Sequence, residues 1–153
     1  MCLFQEKHLN IVTNPASNLK LASGIAPIQA MLQRNINVCL GTDGAASNNC
    51  LDMFREMFLV TGLAKYKNCN ASAVDAYKVL NMATINGAKA LNLNCGVLEA
   101  GKLADLIILD LHQPNMQPMN NIAKNIVYSG SKSNVKCTMV NGEILYEDGW
   151  NRI

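Results

Sequence analysis

The chain has 153 residues and a formal net charge of +2; charged residues make up 16% of it and hydrophobic residues 50%. This balance is typical of a globular unit and argues against a disordered chain. The Lys and Arg residues form no basic run, which argues against nucleic acid or an anionic membrane as the partner. The six cysteines form no C-x-x-C pair, and no apolar run reaches the roughly 18 residues of a transmembrane helix. We therefore expect a cytoplasmic protein with reduced thiols.

The first half of the sequence alternates between short apolar runs and helical patterns. The predicted elements are, in chain order, a helix end in residues 1–8, a strand at 9–12, a helix at 25–34, a strand at 36–40 and a helix whose apolar face carries Leu51, Phe54 and Phe58. Asp52 falls in the first turn of this last helix, where the helix dipole favours a carboxylate. The alternation predicts parallel strands joined by helical crossovers, with long polar loops after the strands.

Two helices are predicted next. The capping-box spacing from Ser72 to Asp75 predicts a helix that runs to about residue 80. A second helix is predicted over residues 83–91, where small side chains allow close packing against a neighbour; they are Ala83, Gly87 and Ala90.

The end of the sequence has the pattern of a small β-domain. Residues 103–110, 135–139 and 144–146 are predicted strands, and a loop around Pro114 and Pro118 joins the first of them to the second. The dipeptide Asn141-Gly142 separates the last two strands. It predicts a hairpin, because both residues tolerate the positive φ that a tight turn requires.

Asp43 is the most informative polar residue. It follows the second predicted strand, within the run Gly-Thr-Asp-Gly at residues 41–44. A carboxylate at the end of a strand can bind a divalent metal and accept a proton from a metal-bound water. The same run is also an ordinary turn sequence, and this alternative stays open.

A second polar cluster follows the first predicted strand. Residues 14–24 hold two amides, two hydroxyls and a lysine, which together could form the wall of a site for a heterocycle or a ribose. The alternative is an Asx or Ser turn that caps the next helix.

The two clusters together resemble the amidohydrolase superfamily. Within it they are most similar to the 5-methylthioadenosine/S-adenosylhomocysteine deaminase group, near the chlorohydrolase and guanine deaminase branch. The stretches that carry the resemblance are, in order, Asn14-Pro15-x-Ser17-Asn18-Leu19-Lys20-Leu21-Ala22-Ser23-Gly24, Leu40-Gly41-Thr42-Asp43-Gly44-Ala45-Ala46-Ser47-Asn48-Asn49, 82–91, 96–107 and 140–142.

The resemblance implies an α/β fold and a metal-dependent hydrolase. Residues 1–94 would form the last βα units of a TIM-type β/α barrel, and residues 95–153 would supply strands of a composite β-sandwich domain. Asp43 would bind the catalytic divalent metal, usually zinc, and handle the proton of its water. Ser47 and Asn18 become candidates for substrate binding. The implied reaction is deamination of an adenosine-type nucleoside, in which water attacks the amine-bearing ring carbon and ammonia leaves.

The sequence departs from the family at its other metal ligands. The family has a His-x-His pair, two further metal histidines and a catalytic glutamate, whereas this chain has only His8 and His112, which we interpret as surface residues. Many relatives have a histidine where this chain has Thr13. A β/α barrel takes about 250 residues, and catalytic zinc needs about three protein ligands. We therefore expect a C-terminal fragment, from a truncated or split gene, that does not retain zinc and is inactive alone.

Two other interpretations stay open. One is a non-catalytic remnant or interaction module whose open strand edges and unburied helix faces associate with a second copy or with another chain. The other is an amidohydrolase fragment with guanine or chloro-triazine as its substrate. The partners expected for the leading interpretation are a small nucleoside-like substrate in the complete enzyme, and a complementary N-terminal fragment or a second copy of the chain.

Overall fold

The computed structural model describes residues 9–151, so the predicted helix end in residues 1–8, including His8, lies outside the described residues. The fold mixes helices and strands, as the sequence predicts. The elements are, in chain order, β1 (Asn10–Thr13), α1 (Pro15–Lys20), α2 (Ile28–Leu32), β2 (Asn37–Leu40), α3 (Met53–Asn68), α4 (Ala76–Ala83), α5 (Ile85–Leu91), β3 (Leu106–Leu109), a 3-10 turn (Pro114–Met116), α6 (Ile122–Ser129), a second 3-10 turn (Lys132–Asn134), β4 (Val135–Val140), β5 (Glu143–Glu147) and β6 (Trp150–Asn151). Within the described range, no helix is long and apolar enough to cross a bilayer.

The first sheet is a parallel pair. β1 lies beside β2 with Asn10 opposite Asn37 and Thr13 opposite Leu40. A parallel pair needs a crossover connection, and α1 and α2 lie in that connection. Both strands therefore end at the same edge of the sheet, and the loops that follow them are brought together there.

The hydrophobic core lies between β2 and the helices that follow it. α3 contributes Phe54, Met57 and Val60, which recur at the spacing of one helical face. They join the fully buried Val38 of β2 and Met82 of α4 in a single cluster. Burial of each such side chain stabilises the fold by about 1.5–3 kcal/mol.

Part of the predicted apolar face of α3 was wrong. Leu51 and Phe58 are more than half exposed, while Phe54 is buried. Leu51 precedes the helix, because Asp52 is its N-cap and accepts a hydrogen bond from the Phe54 N–H at 2.9 Å. Asp52 thus stabilises the start of α3 by capping a backbone donor, in addition to its charge.

The second sheet is antiparallel, in the order β3-β4-β5-β6. The predicted hairpin is confirmed at its turn: Asn141 has a φ of +50° and Gly142 a φ of +82°. The turn is held from outside, since the Asn141 N–H donates to the Asp105 carboxylate at 2.7 Å and the Gly142 N–H to the Ala104 carbonyl.

The prediction of a plain loop between Leu109 and Val135 was wrong, because the segment contains α6. Asn121 caps this helix by accepting a hydrogen bond from the Lys124 N–H at 2.9 Å. Ala123 and Val127 are buried at i and i+4 on its inner face. An Asn cap followed by this spacing is a helix signal that the nearby prolines obscured.

Three smaller predictions also need correction. Residues 15–20 form a helix that was not predicted, with Pro15 in its first turn; the Asn14 side chain makes no capping hydrogen bond, so the alternative of an Asx turn does not hold at Asn14. The cap of α4 is Asp75, which accepts from the N–H groups of residues 77 and 78, rather than Ser72. Gly87 is not a close-packing position, because a Cβ placed there meets nothing within 4 Å.

Candidate functional site

Asp43 lies just beyond the carboxyl end of β2. The Gly41 N–H donates to the Thr13 carbonyl at 3.0 Å and so extends the pairing of the two strands by one step. The chain then leaves the sheet, and Asp43 has a φ of +63°. Asp tolerates this left-handed conformation better than most side chains. Its carboxylate is exposed at the exit of the strand.

Gly41 is required by the space around it. A Cβ at this position would lie 2.5 Å from Asn14 Oδ1 and 2.9 Å from Val12 Cγ1. Both contacts are shorter than a carbon atom permits. The absence of a side chain at Gly41 therefore leaves room for the Asn14 and Val12 side chains beside the backbone that leads to Asp43.

The Asp43 carboxylate is held by donors on both oxygens. The hydroxyl of Ser17, a buried residue of α1, donates to Asp43 Oδ2 at 2.7 Å. The Gly44 N–H donates to Oδ1 at 2.7 Å. Hydrogen bonds from Ser17, then from Ser47 and from the Gly44 amide, hold the pKa of the Asp43 carboxyl below its ordinary value. Asp43 is thus an ionised and oriented carboxylate, able to coordinate a cation.

The two predicted substrate residues lie in different surroundings. The Ser47 hydroxyl is beside Asp43, and it also lies 3.3 Å from the Gly44 carbonyl oxygen. Asn18 is half-buried on α1 and, together with Gly24 and Val60, lines a narrow cleft whose volume of about 10 Å³ has room for about one water molecule. Adjacent residues of a helix point about 100° apart, so the Ser17 hydroxyl reaches Asp43 while Asn18 faces the cleft.

A buried network behind Asp43 was missed by the sequence analysis. Glu56 of α3 is completely buried; it accepts from the Ala16 N–H at 2.9 Å and from Asn48 Nδ2 at 2.7 Å. Asn48 Nδ2 also donates to the Thr42 carbonyl at 2.8 Å. The sequence shows only that Glu56 is a carboxylate close to two apolar residues of α3, Phe54 and Met57; that the three are buried together is visible only in the structure.

Lys20 adds an outer tie between the same two segments. Its Nζ donates to the Ala46 carbonyl at 3.1 Å and to Asn49 Oδ1 at 2.6 Å. These contacts are exposed, so they contribute less than the buried ones. Lys20, the lysine of the polar cluster at residues 14–24, therefore binds the loop that carries Asp43.

The described residues do not form a complete metal site. Within residues 9–151, no three His, Cys, Asp or Glu side chains lie close enough together to hold a metal ion. His112 is exposed in a loop, where its backbone N–H donates to the Asp110 carboxylate at 2.9 Å. Asp43 has the charge and orientation of a single ligand, whereas a catalytic zinc site uses about three protein ligands.

Comparisons with known proteins assign the family. The chain matches the Amidohydrolase family over residues 3–145. It is 49% identical over 146 residues to the 5'-deoxyadenosine deaminase of Methanosarcina mazei, with 95% of this chain and 34% of that protein covered. It is 46% identical over 140 residues to the 5-methylthioadenosine/S-adenosylhomocysteine deaminase of Thermococcus onnurineus, covering 92% of this chain and 33% of that one.

A solved structure shows the same fold. The zinc-bound adenosine deaminase of Xanthomonas campestris superposes with a TM-score of 0.95 at 36% identity, covering 99% of this chain and 35% of that chain. The chain thus spans about a third of the length of the relatives it matches. With the family matched over nearly all of its residues, the chain belongs to the amidohydrolase family.

Proposed function

We propose that this chain is the carboxyl-terminal part of a metal-dependent amidohydrolase that deaminates an adenosine-type nucleoside, such as 5-methylthioadenosine or S-adenosylhomocysteine. The observation that carries the proposal is the Asp43 carboxylate, exposed at the end of β2 and oriented by Ser17 and Gly44. Relatives named as deaminases of 5'-deoxyadenosine and of 5-methylthioadenosine/S-adenosylhomocysteine support the substrate class. Guanine and chloro-triazines are the competing substrates.

The proposed domains follow the two sheets. Residues 1–94 supply the last βα units of a β/α barrel, in which β1 and β2 are neighbouring parallel strands. Residues 95–153 supply strands of a β-sandwich domain. In support, β1 and β2 pair in parallel with helices between them, and β3 to β6 form an antiparallel sheet.

Asp43 is proposed to be one ligand of a divalent metal, with zinc as the best candidate. A divalent metal supplies Lewis acidity and activates water at neutral pH. The lowered pKa of Asp43 supports this role, because a ligand must be deprotonated. Ser47, beside Asp43, and Asn18, the residue after Ser17 on α1, are proposed to contact the substrate.

The remaining ligands are proposed to come from a complementary polypeptide equivalent to the amino-terminal part of the relatives. An apolar cleft of about 550 Å³ supports such an association; its lining includes Met53, Met57, Leu106 and Ile107. Ile107 and Val140 are about half exposed there. An open apolar surface of this kind is typical of a protein contact. The isolated chain is proposed to be inactive and to retain no zinc.

Complementation tests the proposal directly. The purified chain would be mixed with the amino-terminal part of the Methanosarcina mazei relative that precedes the matched segment, in the presence of zinc. Ammonia release would be measured with 5'-deoxyadenosine, 5-methylthioadenosine, S-adenosylhomocysteine, guanine and a chloro-triazine. We expect turnover of an adenosine derivative by the mixture and none by either piece alone.

The other outcomes are informative. Stoichiometric zinc and turnover in the isolated chain would contradict the proposed fragment. A stable complex with no turnover of any substrate would favour the interaction module. Turnover of guanine or a chloro-triazine alone would keep the hydrolase and change its substrate.

A further inference from the structure

Glu56 is the one completely buried carboxylate among residues 9–151. It lies in the first turn of α3, and none of the described ion pairs involves it. Burying a carboxylate without a cation costs several kcal/mol of solvation, which hydrogen bonds must offset. A Met or Leu at this position would avoid that cost, so core stability alone does not account for Glu56.

The hydrogen bonds of Glu56 lead to both members of the Ser17–Asp43 pair. Glu56 Oε2 accepts a hydrogen bond from the backbone N–H of Ala16, the residue before Ser17. Glu56 Oε1 accepts a hydrogen bond from the side-chain amide of Asn48. The same amide also donates to the carbonyl of Thr42, the residue before Asp43. The Ser17–Asp43 hydrogen bond closes these two routes into a ring.

The ring makes the position of Asp43 depend on Glu56. A single hydrogen bond from an exposed loop to a buried helix would leave that loop free to rotate. Here the Asp43 loop and the start of α1 are both hydrogen-bonded, directly or through Asn48, to one completely buried carboxylate. Interactions of this kind orient a metal ligand without touching the metal.

We propose that Glu56 is a positioning residue for Asp43: it fixes the carboxylate by holding the backbone that precedes both Ser17 and Asp43. The role depends on the proposed function of Asp43. Its structural part does not, because the orientation of Asp43 can be measured without metal or substrate.

The acceptor chemistry at Glu56 supplies a selective test. Both carboxylate oxygens of Glu56 accept hydrogen bonds from N–H donors. Glu56→Gln keeps the shape of the side chain but replaces one of these oxygens with an NH₂ group, which then faces the donor of Ala16 or of Asn48. Asn48→Asp changes the partner of Glu56 from a donor to an acceptor, and it removes the hydrogen bonds that Asn48 donates to Glu56 and to the Thr42 carbonyl. Glu99→Gln makes the same chemical change on the exposed surface and is the matched control.

The first measurement is the ¹H–¹⁵N spectrum of the isolated chain, with the Gly44 amide as the reporter because it donates to Asp43 Oδ1. In Glu56→Gln we expect this signal to move or broaden, and exchange of the amides in residues 41–50 to rise about tenfold, while the core amides of α4 change by less than about twofold. Glu99→Gln should leave all of them unchanged.

The double variant Glu56→Gln/Asn48→Asp should partly restore the Gly44 signal, because a donor and an acceptor again face each other across the ring. The Thr42 carbonyl lacks its donor in this variant, so the recovery should be incomplete. A Gly44 signal identical to wild type in Glu56→Gln would overturn the proposal. Global unfolding of both Glu56→Gln and Asn48→Ala would also overturn it, because Glu56 would then support the whole core.

The complemented enzyme gives a second measurement. There we expect Glu56→Gln to lower kcat about ten- to a hundredfold with KM within about twofold, since misorientation of the reacting groups affects the chemical step. An unchanged kcat would overturn the catalytic part of the role. If the wild-type mixture shows no turnover, the proposed function fails, and the spectrum of the isolated chain still decides whether Glu56 positions Asp43.

Discussion

The region of the parallel strands and the region of the antiparallel sheet each contain a buried polar residue that makes several hydrogen bonds, which we call a hub. The two hubs differ in the groups to which they are hydrogen-bonded. Glu56, beneath the parallel strands, is charged, and its hydrogen bonds lead outward to an exposed carboxylate. Asn134, beside the antiparallel sheet, is neutral and equally buried, and its hydrogen bonds lead to Asp110, Gln113 and Asn115 in neighbouring turns.

The difference separates a structural hub from a hub built behind a site. The Asn134 amide donates and accepts within loops that connect secondary structure, so its partners are satisfied by the fold itself. The Glu56 network ends at Asp43, where an ionised oxygen atom faces solvent. A region that only needed stability would not require a buried charge to hold an exposed one.

The largest effect that this comparison predicts is at Asp43. In the complemented enzyme, Asp43→Asn should lower the rate of ammonia release about a thousandfold, because loss of the proposed metal ligand would remove several kcal/mol of transition-state stabilisation. The urea midpoint of the isolated chain should fall only slightly, since the carboxylate is exposed and the Asn oxygen can still accept the hydrogen bond from Ser17. A fall in the midpoint as large as that of a core substitution would show that Asp43 is mainly structural.

Asn134→Ala should have the opposite profile. We expect a loss of about 2–4 kcal/mol in the free energy of unfolding, because several buried donors and acceptors lose their partner together. Urea denaturation followed by circular dichroism measures this loss. The Gly44 amide signal should be unchanged, and a shift of that signal would contradict the separation of the two hubs.

Gly41→Ala should destabilise the chain by about 1–3 kcal/mol, because the added methyl overlaps Asn14 Oδ1 and Val12 Cγ1. The control is Gly62→Ala within α3, where a Cβ meets nothing within 4 Å. That change should stabilise the chain by up to about 1 kcal/mol, because Ala favours helix over Gly. Equal effects of the two substitutions would show that Gly41 is not confined.

The smallest effect concerns Asp110. The hydrogen bond from the His112 N–H, followed by the charges of Lys136 and His112, holds the pKa of its carboxyl below the ordinary value. Asp110 therefore contributes stability that is present above the pKa of the unfolded chain and is lost as the pH falls through the lowered folded value. A carboxyl titration by NMR should place the pKa of Asp110 below the ordinary value for an Asp side chain, and Lys136→Ala should raise that pKa slightly.

Local signals in the sequence were enough for the main elements of the fold. The Asn141-Gly142 turn and both parallel strands follow from short-range patterns that tertiary packing did not overrule. The sequence analysis missed α6 because Pro114 and Pro118 suggested a loop. Both prolines precede the cap at Asn121, so neither lies inside the helix. Proline restricts the residues around it, but a helix can begin a few residues later.

The candidate site was predictable only at its surface. Asp43 and Ser47 are in runs whose composition suggests a polar loop. Glu56 lies within a helix, 13 positions beyond Asp43, and its link to Ala16 spans 40 residues. No periodicity in the sequence shows that two loops share one buried acceptor, because that arrangement depends on which strand edges are brought together in three dimensions.

The apolar cleft between α3 and the antiparallel sheet has a consequence for the purified chain in solution. An open surface lined by Met57, Leu106 and Ile107 is the kind of feature that aggregation and proteolysis act on when it stays uncovered. Under the proposed function, addition of the amino-terminal part of a relative should therefore slow both the aggregation and the protease digestion of the purified chain.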